Sequence, residues 1–214
     1  SKMEIEKIRK DLKAKKNEDT VIRYAKKISR STQQEDSPEA VLALAQKLWV
    51  GAKEEERFLA IHLVASIDRH LDSSHWNQFR EWLTEADSEL LRDGVSSRIF
   101  GSLVMEDRSW VRVLCHWAQA EDPLERRAAV MAVFPRTRQM SDHEAAVSVL
   151  ESLLGESHEA VQGSVIRLIE ECIDINRKAV VEFLGQWRSR IDPVILKTVL
   201  DRLSPEDQER IRQF

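Results

Sequence analysis

Four residues able to hold an anion recur at an even interval: Arg92, Arg127, Gln162 and Lys197 stand 35 residues apart. Guanidinium and ammonium groups repeated along one surface suit a polyanion, because each phosphate oxygen then meets a charged donor. Duplex DNA is the long polyanion such a column would fit. Glu89, Asp93, Glu125 and Glu170 lie close by, so ordinary solvated charge accounts for the same spacing equally well. Groups that would activate a nucleophile, move a proton or hold a metal form no motif. There is no HExxH, glycine-rich phosphate loop, GxSxG or CxxC, and His70 and His75 flank a polar turn without cysteine or further histidine nearby. These residues call for neither a metal nor a cofactor.

The elements that would position the column are helices. Asp87, Asp122, Ser157 and Asp192 are N-cap types at the same 35-residue interval, and Pro123 and Pro193 follow two of them, at the position where a missing amide costs a helix nothing. Eight residues past these caps stand Val95, Val130, Val165 and Leu200. Two further apolar columns, Val111, Ala146 and Val181, and Leu114, Val149 and Leu184, mark the intervening helices. Paired amphipathic helices that cannot bury their apolar faces alone gain a core by stacking. The segment Asp122-Pro-Leu-Glu-Arg-Arg-Ala-Ala-Val130 has the aspartate, arginine and paired alanines of the inner helix of a HEAT-like repeat. The expected fold is an all-α, right-handed solenoid of two-helix HEAT-like repeats, about a dozen helices in one domain over residues 3–214. Residues 87–214 carry the regular repeats of about 35 residues and 3–86 less regular helices.

Upstream, Ser37-Pro38-Glu39 opens a helix towards Trp49. Lys53 to about Ile67 reads as another, with Phe58, Ile61, Val64 and Ala65 on one side, and polar Thr32 to Ser37 as a mobile connection. Residues 1–50 carry 12 Lys+Arg against 8 Asp+Glu and residues 51–100 carry 6 against 10, so a basic stretch precedes an acidic one. Cys115 and Cys172 lie in apolar helical stretches and are expected as reduced, buried thiols. The tryptophans at 49, 76, 82, 110, 117 and 187 are expected mostly in packing. No apolar run approaches the roughly 20 residues that cross a bilayer, and the charged N-terminus does not suit a secretory signal; a monomeric cytoplasmic protein without membrane contact is expected.

Several segments together resemble the HEAT-like DNA alkylation repair family, whose best-known members are glycosylases that excise cationic N3- and N7-alkylated purines. They are Ile22-Arg-Tyr-Ala-Lys26, Leu48-Trp49 with Glu55-Glu-Arg-Phe-Leu-Ala-Ile61, Arg92-Asp-Gly-Val-Ser-Ser97, Leu124-Glu-Arg-Arg-Ala-Ala-Val130 and Val161-Gln-Gly-Ser-Val-Ile-Arg-Leu-Ile169. The resemblance implies that Tyr24 matches a family tyrosine and Arg127 the inner-helix arginine. It also implies departures. The position of the family's catalytic aspartate is Ser96, and two tryptophan positions are Arg92 and Arg167.

Cleaving the glycosidic bond of a cationic purine builds positive charge on the sugar, which a carboxylate and aromatic faces stabilise. A serine supplies no such charge and two guanidiniums repel the developing cation, while remaining well suited to phosphate. Asp93 is the possible substitute carboxylate, although a step of about 100° per residue turns it away from the Ser96 direction. The expected function is therefore a family member that binds duplex DNA in a concave basic groove through Tyr24, Arg92, Arg127, Gln162, Arg167 and Lys197, with alkylpurine excision lost or weakened. The alternatives are an active glycosylase for N3/N7-alkylated purines and a HEAT scaffold that binds a protein partner and no nucleic acid.

Overall fold

Capping side chains set where many of the helices begin, and they place the repeat register. In the computed structural model, which describes residues 2–35 and 37–214, the described residues form helices and turns without a strand. Contacts divide the chain into two compact units, Ser1–Leu103 and Val104–Phe214.

In the first unit the helices are α1 (Lys2–Leu12), α2 (Glu18–Glu35), α3 (Pro38–Val50), α4 (Glu54–Ala65), α5 (Trp76–Glu85) and α6 (Glu89–Gly94). The last runs on through a π-helical turn, Val95–Phe100, into α7 (Gly101–Glu106), which crosses the boundary between the units. Ser37 caps α3 by accepting the Ala40 amide, ahead of Pro38. The polar stretch expected as a connection from Thr32 is helical through Glu35, and residue 36 lies outside the described residues. Gln33, Gln34 and Glu35 lack apolar periodicity but have good helix propensity, which suffices to extend an anchored helix.

Helix α4 is buried not on one side but all round from Glu56 to Val64, because α1, α2, α3, α6 and the π turn all pack on it. Its charged residues are buried with partners. Arg9 Nε donates to Glu56 Oε1 at 2.5 Å. Arg57 donates to the carbonyls of Trp49 (3.1 Å) and Glu85 (2.9 Å), with its guanidinium 4.6 Å from the centre of the Trp49 ring. Trp49 itself stacks on Trp82 at 4.3 Å. A side chain at Gly51 would collide with Glu56 Oε2, so glycine there is a matter of space.

In the second unit come α8 (Val111–Trp117), α9 (Pro123–Met140), α10 (His143–Leu150), α11 (Glu159–Trp187), α12 (Pro193–Leu200) and α13 (Pro205–Arg212). Neighbours in sequence pack as pairs, α8 with α9 and α10 with α11, and alternate helices stack, α9 on α11 and α8 on α10. Helix α11 is two helices joined at Asn176, whose backbone is non-helical (φ −150°, ψ 78°) and whose side chain caps the second part through the Ala179 amide.

The caps correct the register. Asp122 and Asp192 cap as expected, but Ser88 caps α6 in place of Asp87 and His158 caps α11 in place of Ser157. Successive intervals are thus 34, 36 and 34 residues. A proline at the first helical position pins the start at Asp122 and Asp192; where none follows, the cap passes to the next residue able to accept. Seven residues past these caps stand Val95, Ala129, Val165 and Val199, all fully buried, whereas Leu200 of the expected column is partly exposed. The intervening columns, Val111, Ala146 and Val181, and Leu114, Val149 and Leu184, are buried as expected.

Candidate nucleic-acid interface

The corrected register separates two roles among the expected anion-binding residues. Four residues past the caps stand Arg92, Arg126 and Gln162, and each reaches back to the carbonyl two residues before its cap. Arg92 Nη1 donates to Ala86 O (3.3 Å), Arg126 Nη1 to Ala120 O (3.0 Å) and Gln162 Nε2 to Glu156 O (2.8 Å). This column braces helix entrances, and Leu196, its fourth member, cannot make the bond. Arg127 belongs to the next position along, not to the column with Arg92 and Gln162. Its Nη1 donates to Ala160 O of α11 at 2.6 Å.

Arg126 is the residue that spacing alone misses. Beyond the brace it forms a two-point pair with the buried Glu156, Nε to Oε2 at 2.7 Å and Nη2 to Oε1 at 3.1 Å. The shift that brings it into the column comes from Ser88 and His158, each one residue past the expected cap. Gln162 uses its amide nitrogen twice, on Glu156 O and on Asp192 Oδ1 at 3.1 Å, which occupies both of its hydrogens.

The remaining positions differ in how far they reach solvent. In the first unit, Tyr24 is half-buried and its hydroxyl donates to Asp11 Oδ2 at 2.8 Å; burial, with the Asp11 bond and charge adding to it, raises its pKa far above the ordinary phenol range. In the second unit, Arg167 is exposed with its guanidinium 5.5 Å from the centre of the Phe134 ring, and Lys197 is exposed on α12.

Ser96 is turned inward. It is 1% exposed, and its hydroxyl donates to Arg92 O at 2.7 Å. Ser97 makes the same bond to Asp93 O at 2.7 Å. Both bonds fall where the α-helix widens into the π turn, whose ladder includes the Gly101 amide on Ser96 O. Hydroxyls that bond back onto helix carbonyls loosen the local ladder, and a π turn needs such extra donors. Gly94 lets this helix approach α4 closely, since a Cβ there would stand 3.1 Å from Ile61 Cδ1. Asp93 is partly exposed, unlike Ser96, although three residues along a helix leave the two only about 60° apart. Among the described residues no three His, Cys, Asp or Glu side chains are placed to share a metal ion.

The sequence profile of the DNA alkylation repair enzyme family matches residues 11–203. The chain belongs to this family. No individually curated protein matches it.

Family membership gives the chain a role in DNA alkylation repair and fits DNA as the molecule it serves. The matched span includes Tyr24, Arg92, Asp93, Ser96, Arg127, Gln162, Arg167 and Lys197. No described helix of this DNA alkylation repair protein is long and apolar enough to cross a membrane. Both cysteines are free. Cys172 is buried, with its thiol pushed up to about 12 by burial and then by Glu171; Cys115 is only half-buried and raised for the same first reason. Four of the tryptophans, Trp49, Trp76, Trp82 and Trp117, are core residues, and Trp110 and Trp187 are partly exposed.

Proposed function

We propose that this DNA alkylation repair protein binds duplex DNA through phosphate contacts and that its excision of alkylated purines is lost or weakened. Ser96 carries the proposal. The resemblance sets a carboxylate at this position in the active enzymes; here a neutral hydroxyl stands there, 1% exposed and spent on the Arg92 carbonyl. With no negative charge to offset the cation that develops on the sugar, and arginine at 92 and 167, the ground state and the transition state are stabilised alike or the latter less. Phosphate binding survives the same changes. Arg167 and Lys197 are exposed, and Arg92 and Arg127 are partly exposed beside the carbonyls they hold, where a guanidinium suits phosphate. Gln162, with its amide hydrogens taken, contributes by holding the helix starts that carry its neighbours.

Release of 7-methylguanine from alkylated duplex DNA tests the loss of excision. Incubation with the wild-type chain is expected to match the protein-free control. Prompt release that Asp93→Asn abolishes would instead favour an active glycosylase with Asp93 as its carboxylate, a second reading that the partial exposure of Asp93 favours.

A further inference from the structure

Helix α2 turns four cations to solvent. Arg23, Lys26, Lys27 and Arg30 are all exposed and, with Ser31, line a shallow depression. At about 100° per residue the four fall within an arc of roughly 100°. Val21 and Ala25, which are buried, lie on the opposite side, and buried Ser29 and half-buried Tyr24 each stand roughly 110° from the middle of the arc, on opposite flanks. This face is therefore distinct from the one Tyr24 presents.

Several surface arginines elsewhere stand beside an acid: Arg98 with Glu18, Arg108 with Asp142, Arg138 with Glu171, Arg177 with Asp207 and Arg202 with Glu170. None of the four on α2 has an ion-pair partner among the described residues, and Asp19, one turn before Arg23, is the acid on their arc. Like charges three and four residues apart repel along a helix. Arg23 with Lys26 and Lys27, and Arg30 with the same two lysines, make four such pairs. A helix that served packing alone would gain by breaking them up; a bound polyanion relieves all four at once.

We propose that this outer face of α2 is a second nucleic-acid contact, taking consecutive phosphates of one strand. Arg23 to Arg30 spans about 10 Å along the helix axis, which matches about three phosphates at roughly 3.4 Å of axial rise per strand. The arc offers no exposed apolar or aromatic side chain to insert between lipid tails, so a membrane surface fits it less well than a nucleic-acid backbone. The inference rests on the duplex-binding proposal and adds a site to it.

The test is the combined variant Arg23→Gln, Lys26→Gln, Lys27→Gln and Arg30→Gln, since glutamine keeps helix propensity while removing charge. Circular dichroism checks that the fold is kept. Binding of a labelled duplex is followed by fluorescence anisotropy from about 50 to about 200 mM salt, where each phosphate contact contributes about 0.9 to the slope of log affinity on log salt. A slope shallower than wild type by about 2 to 3, with affinity down on the order of 10- to 100-fold at low salt, supports the second contact. A folded variant with the wild-type slope overturns it. If that variant keeps the slope while Arg167→Glu/Lys197→Glu loses binding, the duplex proposal stands and the α2 site falls. A wild-type chain that binds no DNA at low salt defeats both. Loss of binding to phosphatidylserine vesicles with DNA binding unchanged would reassign the face to lipid.

Discussion

Placing a carboxylate at position 96, which the proposed function reads as lost, is expected to damage the fold without bringing excision. In Ser96→Asp the hydroxyl bond to Arg92 O at 2.7 Å is lost, which removes about 1 kcal/mol. The introduced carboxyl enters a site that is 1% exposed. It must then be accommodated in a packed interior, at about 1–3 kcal/mol, and either bury an unpaired charge or take up a proton. With the cost of the buried charge or the added proton included, a total of about 3–5 kcal/mol follows, or a fall in Tm of roughly 6–20 °C for a domain of this size. The pH dependence identifies the cause. Burial raises the pKa of the introduced carboxyl in the folded state above its unfolded value near about 3.9, so its penalty is smallest below that value and grows as pH rises towards the folded pKa. Urea denaturation of wild type, Ser96→Ala and Ser96→Asp at about pH 5 and about pH 7.5 separates the terms, with Ser96→Ala costing about 1 kcal/mol at either pH. Release of 7-methylguanine should stay at the background level in all three. A Ser96→Asp chain as stable as wild type, with no pH-dependent penalty or with prompt excision, would mean that position 96 opens towards DNA and would refute the reasoning.

Three further outcomes are expected from the packing and the caps. Ser88→Ala should cost about 1 kcal/mol in urea denaturation and Asp87→Ala almost nothing, because the Ser88 hydroxyl takes the Leu91 amide; the reverse order would restore the even 35-residue register. Burial works to raise the Asp142 carboxyl, but bonds from Arg108, Arg136 and the Ala145 amide outweigh it and hold its pKa at about 2. That stabilisation is present above about pH 4 and lost as pH falls through about 2, so Asp142→Asn should cost about 2 kcal/mol at neutral pH and flatten the acid limb of the stability profile. Arg57→Ala removes two carbonyl bonds and the guanidinium over Trp49. It should cost about 3 kcal/mol by urea denaturation, and Arg57→Lys should recover only part of that because an ammonium cannot fork between the two carbonyls.

Where local chemistry sets a feature, the residues announce it; where a distant partner does, they do not. Pro123 and Pro193 mark two helix starts unambiguously, and at these the expected caps Asp122 and Asp192 hold. Asp87-Ser88 and Ser157-His158 each offer two acceptors side by side, and the choice between them depends on how the chain enters the helix. One residue of slip was enough to put Arg127 in the column that belongs to Arg126. The burial of α4 was half hidden for a different reason. Glu56 and Arg57 look like surface residues until Trp49, on the preceding helix, and Arg9 and Glu85, far off in sequence, supply their partners. At the candidate site the family resemblance implies departures at Arg92, Ser96 and Arg167, and that reading needs only the residue types. The inward turn of Ser96 needs more, because it depends on a π turn whose donors and packing come from the folded helix.

The most direct measurement is anisotropy of a labelled duplex, plain and alkylated, titrated with wild type and with Arg167→Glu/Lys197→Glu over a salt series. These two residues are exposed, whereas Arg92 and Arg127 hold backbone carbonyls, so reversal at 167 and 197 tests binding with little cost to folding. Salt-sensitive wild-type binding that weakens in the double variant, with alkylated duplex bound and left intact, is the predicted result. No binding at low salt, or binding indifferent to salt and to both reversals, would contradict it and point to a protein partner.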